Sequence, residues 1–216
     1  MTSKHTELVF ILDRSGSMAG LESDTIGGFN GMLAKQQKLP GECYVTTILF
    51  DDKYEVLHDH RDIRTIKPLT AQDYTVRGST ALYDAMGITI HCIGNRQKFA
   101  APDQRADQVL ITIITDGFEN SSIHYQAGEI RQMVTRQQHR FDWQFIFMGA
   151  NMDAIATAGH LGIDPQYAAD YVADAHGTQV SYAAMDDALH DFRSTGQIHP
   201  GALNAVRSDA RHRKQK

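Results

Sequence analysis

The stretch Leu8-Val9-Phe10-Ile11-Leu12-Asp13-Arg14-Ser15-Gly16-Ser17-Met18 decides the architecture. Five consecutive apolar residues predict a strand buried on both faces, of the kind found inside a parallel sheet. The run ends abruptly in a carboxylate and two hydroxyls, which places polar groups at the carboxyl end of that strand, where open α/β sheets bind ligands. Asp13, Ser15 and Ser17 alternate, and Gly16 gives the chain freedom to turn, so all three side chains can face one point. Ser15 and Ser17 are also residue types that cap helices. Taken alone, the stretch allows a cap, a phosphate cradle, a nucleophile or a metal loop.

Working outward, Leu21, Thr25, Ile26, Phe29, Met32 and Leu33 recur every three or four residues and predict a helix from about Leu21 to Lys38, ended by Pro40-Gly41. Gly27, Gly28 and Gly31 weaken that helix, and close packing on the sheet is the simplest reason for them. Tyr44–Phe50 and Tyr54–His58 are separated by three residues only. That gap is too short for a parallel crossover, so the two strands form an antiparallel hairpin with the second at a sheet edge. Asp51 and Asp52 read as turn residues, and Asp59–Lys67 as a surface connection. His58 and His60 alternate on one strand without a third metal ligand at a matching position.

A loop at 77–81 opens a second helix that runs to about Cys92, and the polar stretch 94–107 reads as a loop. Val109–Thr115 is a continuous β-branched run, again a central strand, and it ends in Asp116-Gly117. A helix over 125–140, a strand over 142–149 and a short helix from near Met152 follow. A short strand over 166–172 and a last helix over 178–193 complete the pattern. In this reading Trp143, Phe145 and Phe147 are core residues. The alternation specifies an α/β fold: a Rossmann-like open, mostly parallel central sheet with one antiparallel edge strand and helices on both faces.

A chain of 216 residues with 42% apolar and 22% charged residues has the composition of a single globular domain. No apolar stretch approaches the roughly 20 residues that span a bilayer. The first residues lead into the first strand without a leader pattern, and Cys43 and Cys92 read as reduced thiols, so a cytoplasmic location is expected. Residues 196–216 hold five basic residues (Arg207, Arg211, Arg213, Lys214, Lys216) against Asp209. They read as a basic, flexible tail after a domain at 1–195. The remainder is acidic, which argues against nonspecific nucleic-acid binding.

Strands ending at Leu12 and Thr115 place Asp13 and Asp116 side by side at one sheet edge. Adjacent buried carboxylates repel unless a cation sits between them. Their neighbours Ser15, Ser17 and Thr80 are neutral oxygen donors with no cysteine or histidine adjoining, a set that suits Mg²⁺, Mn²⁺ or Ca²⁺ rather than Zn²⁺. The D-x-S-x-S motif at Asp13, Ser15 and Ser17, Gly78-Ser79-Thr80-Ala81-Leu82 in midchain, and Thr115-Asp116-Gly117 after the second apolar strand together resemble the von Willebrand factor type A (VWA) domain over about residues 5–195. The resemblance implies a metal-ion-dependent adhesion site at the top of the sheet. Ser15 and Ser17 would be direct ligands, Asp13 and Asp116 would bind directly or through water, and Thr80 would alternate with Asp116. It also implies a coordination position left for an acidic side chain of a partner protein. Without leader or disulfides, the chain looks most like the standalone intracellular VWA proteins of bacteria and phages.

The expected function is therefore a noncatalytic, Mg²⁺-dependent protein-binding module. The alternative is a Mg²⁺-dependent phosphohydrolase with Asp13 as nucleophile. Such enzymes need a second acid two positions on, and here that position is Ser15, a poor general acid. No Gly-Lys-Ser/Thr follows Gly16, which removes a P-loop. Glu119, Asn120 and Asp84 read as rim, loop or helix-start groups that could also support the metal ligands.

Overall fold

The structure, a computed structural model, describes residues 4–214; the expectations on residues 1–3 and on Lys216 lie outside them. Six strands form one sheet: β1 (Thr6–Asp13), β2 (Cys43–Phe50), β3 (Tyr54–Asp62), β4 (Gln108–Thr115), β5 (Gln144–Ala150) and β6 (Ala168–Tyr171). Their order across the sheet is β3-β2-β1-β4-β5-β6, every pair parallel except β2/β3. β1 and β4 are both buried along their whole length. They pair in register, Leu12 opposite Ile114, which brings Asp13 and Asp116 to the same edge. The chain order reverses between β1 and β4, the crevice where doubly wound sheets bind ligands.

The helices are α1 (Glu22–Gln36), α2 (Leu82–Phe99), α3 (Ala127–Phe141), α4 (Ala154–His160), α5 (Ala175–Thr195) and α6 (Asn204–Lys214). Successive residues of β1 serve opposite layers, as the two-residue period of a strand requires. Leu8, Phe10 and Leu12 join Phe29, Met32, Met185 and Leu189 of α1 and α5. Val9 and Ile11 join Met86, Ile90, Ile130 and Val134 of α2 and α3. Trp143, Phe145 and Phe147 lie in that second core. Among the described residues no helix is long and apolar enough to cross a membrane.

Three boundaries differ from expectation. β3 continues through Asp62, so residues 59–62 are strand and not connection. Register shifts opposite Thr47 and a positive φ at His60 (46°) absorb the irregularity. α2 runs past Cys92 to Phe99, and its last turns reach the start of β1, where Arg96 Nη1 donates to Glu7 Oε1 at 3.3 Å. The third difference is the tail. Residues 204–214 form α6, whose basic residues mask an apolar stripe that begins just before it: Leu203 and Val206 are buried in the α1/α5 layer, and Ala210 is buried too. Arg207 donates to the backbone carbonyls of Pro165, Gln166 and Ala168, and Arg213 pairs with Asp174 and Asp209.

The three glycines of α1 separate sharply. A Cβ on Gly28 would lie 2.2 Å from the Tyr182 ring, so α1 and α5 touch at that point, whereas Gly27 and Gly31 face open space. Gly28→Ala is expected to destabilise the protein by about 1–3 kcal/mol through overpacking. Gly27→Ala and Gly31→Ala should each stabilise it by up to about 1 kcal/mol, the helix propensity difference. Urea unfolding of the three variants checks this, and equal effects would mean that the α1/α5 contact is not as tight as described.

Candidate functional site

Beyond Asp13 the chain turns through a 3-10 segment, Gly16–Met18, before α1. Neither Ser15 nor Ser17 caps it: no side-chain cap bond forms there, and α1 begins after Leu21. Their hydroxyls face each other at 2.9 Å, and Thr80 Oγ1 donates to Ser15 Oγ at 2.9 Å. Asp13 accepts from the Ser15 N–H at 2.6 Å and from Thr115 Oγ1 at 2.5 Å, one bond on each carboxylate oxygen. Tyr74, buried, donates its hydroxyl proton to the Asp13 carbonyl.

Asp116 is 3% exposed, and neither carboxylate oxygen has a hydrogen-bond partner. Burial pushes its pKa up; the nearby Ser17 hydroxyl, which does not reach hydrogen-bond geometry, opposes the rise. Burial also pushes Asp13 up to about 6, against the bonds from Thr115 and Ser15, with the Asp116 charge adding to the rise. Gly117 closes the floor: a Cβ there would lie 2.6 Å from Thr80 Oγ1, 2.8 Å from Ser17 Oγ and 3.5 Å from Ser15 Oγ. The hydroxyls of Ser15, Ser17 and Thr80 thus converge on a small cradle that a single methyl group would fill, with Asp13 bonded to the Ser15 N–H and Asp116 beside Ser17. An all-oxygen set with two buried carboxylates, one of them unpartnered, fits a hard divalent cation.

The loop after Gly117 is organised by three side chains whose roles the sequence left open. Asn120 brackets Thr80: its Oδ1 accepts the Thr80 N–H at 2.9 Å, and its own N–H donates to the Thr80 carbonyl at 3.0 Å. Glu119 accepts from the N–H groups of Tyr83, Ser121 and Ser122. Asp84 accepts from the N–H groups of Ile123, His124 and Tyr125, so it holds this loop against α2 and does not reach Thr80. His60 is engaged by Glu7, Nδ1 to Oε2 at 2.5 Å, at the opposite end of β1 from Asp13. Among the described residues no group of three His, Cys, Asp or Glu gathers to hold a metal, so any cation here would depend on the hydroxyls beside the two carboxylates.

Asp51, read from sequence as a turn residue, is fully buried and holds the guanidinium groups of Arg14 and Arg77. Nothing in the sequence distinguishes it from Asp52. Its cation partners lie 37 and 26 residues away.

No protein-family model and no curated protein matches the sequence. Solved structures do match. The von Willebrand factor type A protein from Catenulispora acidiphila superposes with a TM-score of 0.58 at 14% identity, over 85% of this chain and 42% of that one. The vWF domain of the type V pili tip protein Mfa5 from Porphyromonas gingivalis gives 0.59 at 10% identity, over 92% and 99%. The manganese-loaded TRAP protein of Plasmodium vivax gives 0.58 at 15%, over 82% and 72%. The chain spans less than half the length of the Catenulispora protein. With the switch-point crevice, the strand order and these superpositions together, the chain has the fold of von Willebrand factor type A domains.

Proposed function

We propose that the chain is a metal-dependent protein-binding module. Asp13, Ser15, Ser17, Thr80 and Asp116 would hold Mg²⁺ or Mn²⁺, and a coordination position would remain for an Asp or Glu of a partner protein. The observation that carries this reading is the buried Asp116 carboxylate, unpartnered beside a second carboxylate and three converging hydroxyls. Such an arrangement is costly without a cation and favourable with one. A divalent ion facing two carboxylates, one or both through water, keeps enough positive field to attract a third. The manganese-loaded TRAP and the pilus-tip Mfa5 domain are neighbours in fold that support the same direction.

The phosphohydrolase alternative is less well supported. Asp13 would have to be a free nucleophile, yet both its oxygens accept hydrogen bonds. Ser15 stands where a general acid would be needed, and its hydroxyl is engaged with Ser17 and Thr80.

Mn²⁺ titration followed by electron paramagnetic resonance, with Mg²⁺ competition, tests the reading. Wild type should bind one Mn²⁺ saturably and Asp13→Ala should lose it while unfolding cooperatively. Capture of partner proteins on the immobilised chain should then be lost in EDTA. Absence of saturable binding at millimolar Mn²⁺, or equal binding by Asp13→Ala, would remove the metal from the function. Phosphate release from a generic phosphoester that vanishes in Asp13→Asn would restore the enzyme.

A further inference from the structure

Arg14 stands between two of the proposed ligands, Asp13 and Ser15, and is 2% exposed. Its guanidinium is directed to two carboxylates: Nε donates to Asp51 Oδ2 at 3.0 Å and Nη2 to Glu55 Oε2 at 2.8 Å. The same Asp51 oxygen accepts from Arg77 Nε at 2.8 Å, and Asp51 Oδ1 accepts the Lys53 N–H at 2.7 Å. Burial pushes Asp51 up, but the bonds from Arg77 and Lys53 and the charge of Arg14 hold it below the usual carboxylate range, so it is ionised at neutral pH.

The backbone repeats this connection. The Arg14 N–H donates to the Phe50 carbonyl at 2.8 Å, and the Arg77 N–H to the Arg14 carbonyl at 2.9 Å. The Gly16 N–H donates to the Gly78 carbonyl at 3.1 Å and the Ala81 N–H to the Asp51 carbonyl at 2.9 Å. Three loops therefore meet at one carboxylate: the loop carrying Ser15 and Ser17, the β2–β3 turn, and the segment that delivers Thr80. Gly78 takes a positive φ of 68°, and a Cβ there would lie 2.2 Å from Asp52 Oδ1, so this segment sits directly on the β2–β3 turn.

We propose that Asp51 is a positioning residue which, through Arg14 and Arg77, locks the Thr80 segment to the Ser15–Ser17 loop and so sets the metal affinity of the site without touching the metal. The consequence for metal rests on the function proposed above; the coupling of the two loops does not. Two features favour this over a purely stabilising ion network. Asp51 joins two segments that each contribute hydroxyls to one cradle, and it does so fully buried, whereas Glu55, the other carboxylate that reaches both Arg14 and Arg77, is half exposed and stands 3.8 Å from Arg77. Asp51 and Glu55 also neutralise the guanidinium carried between two ligand positions, a charge that would otherwise oppose a cation.

The test uses Arg77→Ala, Arg77→Lys and Asp51→Asn in the full chain. The Arg77 side chain is half exposed and the buried Arg14–Asp51 pair does not depend on it, so Arg77→Ala is expected to keep the fold. Amide exchange without metal should quicken in Arg77→Ala over both 76–82 and 13–19, while the urea midpoint stays at the wild-type value. Mn²⁺ affinity should fall by about 10-fold, the low end for groups that orient metal ligands, and Arg77→Lys should restore most of it. Asp51→Asn, if it folds, should show the larger loss. Faster exchange confined to 76–82, or unchanged Mn²⁺ affinity in folded Arg77→Ala, would overturn the proposal. A wild type that binds no Mn²⁺ would overturn the proposed function, and exchange in the metal-free variants would still decide whether Asp51 couples the loops.

Discussion

Asp116→Asn is expected to abolish Mn²⁺ and Mg²⁺ binding and, in EDTA, to leave the protein more stable than wild type. The two halves of this result have one cause. The Asp116 carboxylate is buried with no hydrogen bond to either oxygen, and its charge adds to the rise that burial causes in Asp13. Burying an unsatisfied polar group costs about 1–3 kcal/mol, and more when it is charged. The isosteric amide removes the charge and brings two N–H donors toward the Ser17 side, so the metal-free variant should gain about 1 kcal/mol or more by relief of that cost. With metal the order reverses. A ligand at 100 times its dissociation constant stabilises the folded state by about 2.7 kcal/mol, which only wild type can collect. Urea unfolding, followed through Trp143, the single tryptophan and a buried one, measures both arms. A variant less stable than wild type in EDTA would mean that the carboxylate serves the fold and not a cation.

The parts of this molecule legible in its sequence are those encoded by local pattern. The apolar runs ending at Leu12 and Thr115 specified two central strands, and their termination in Asp13 and Asp116 specified which edge of the sheet carries polar chemistry. The three-residue gap between Phe50 and Tyr54 specified the one antiparallel pair, and the structure has it. The basic residues of 204–214 concealed a helix because charge dominates that composition, while the burying signal is three residues, Leu203, Val206 and Ala210. The support of the site was harder to see. Asp51 and Asp52 are adjacent and chemically identical, and only the arrival of Arg14 and Arg77 from distant segments makes one of them a buried hub. Asn120 and Glu119 likewise acquire their roles from backbone groups at Thr80 and Tyr83, about 40 residues earlier by the separations of the bonds they make. Patterns of period two or 3.6 report which face is buried; they carry no information on which long-range pair of polar groups will close.

Gly117→Ala should discriminate between metals in a way that Asp116→Asn does not. Gly117 has no positive φ to forbid a side chain, so alanine is compatible with the local backbone, and the effect of the substitution is one of space. The added methyl would lie 2.6 Å from Thr80 Oγ1 and 2.8 Å from Ser17 Oγ, closer than such atoms approach. Both hydroxyls must withdraw by a few tenths of an ångström or more. Overpacking of this kind costs about 1–3 kcal/mol of stability. The consequence for binding is larger, because the displaced atoms are the proposed ligands. Mg²⁺ demands near-octahedral geometry at about 2.0–2.1 Å, whereas Ca²⁺ accepts about 2.3–2.6 Å and irregular coordination. Mg²⁺ affinity should therefore fall by at least about 10-fold, consistent with the sensitivity of metal sites to displaced ligands, with a smaller loss for Ca²⁺. Isothermal titration with each ion, on the metal-free variant and on wild type, gives the ratio directly. If Gly117→Ala folds and binds both ions as wild type does, the cation does not sit where the three hydroxyls converge, and Ser15, Ser17 and Thr80 are holding one another and not a metal.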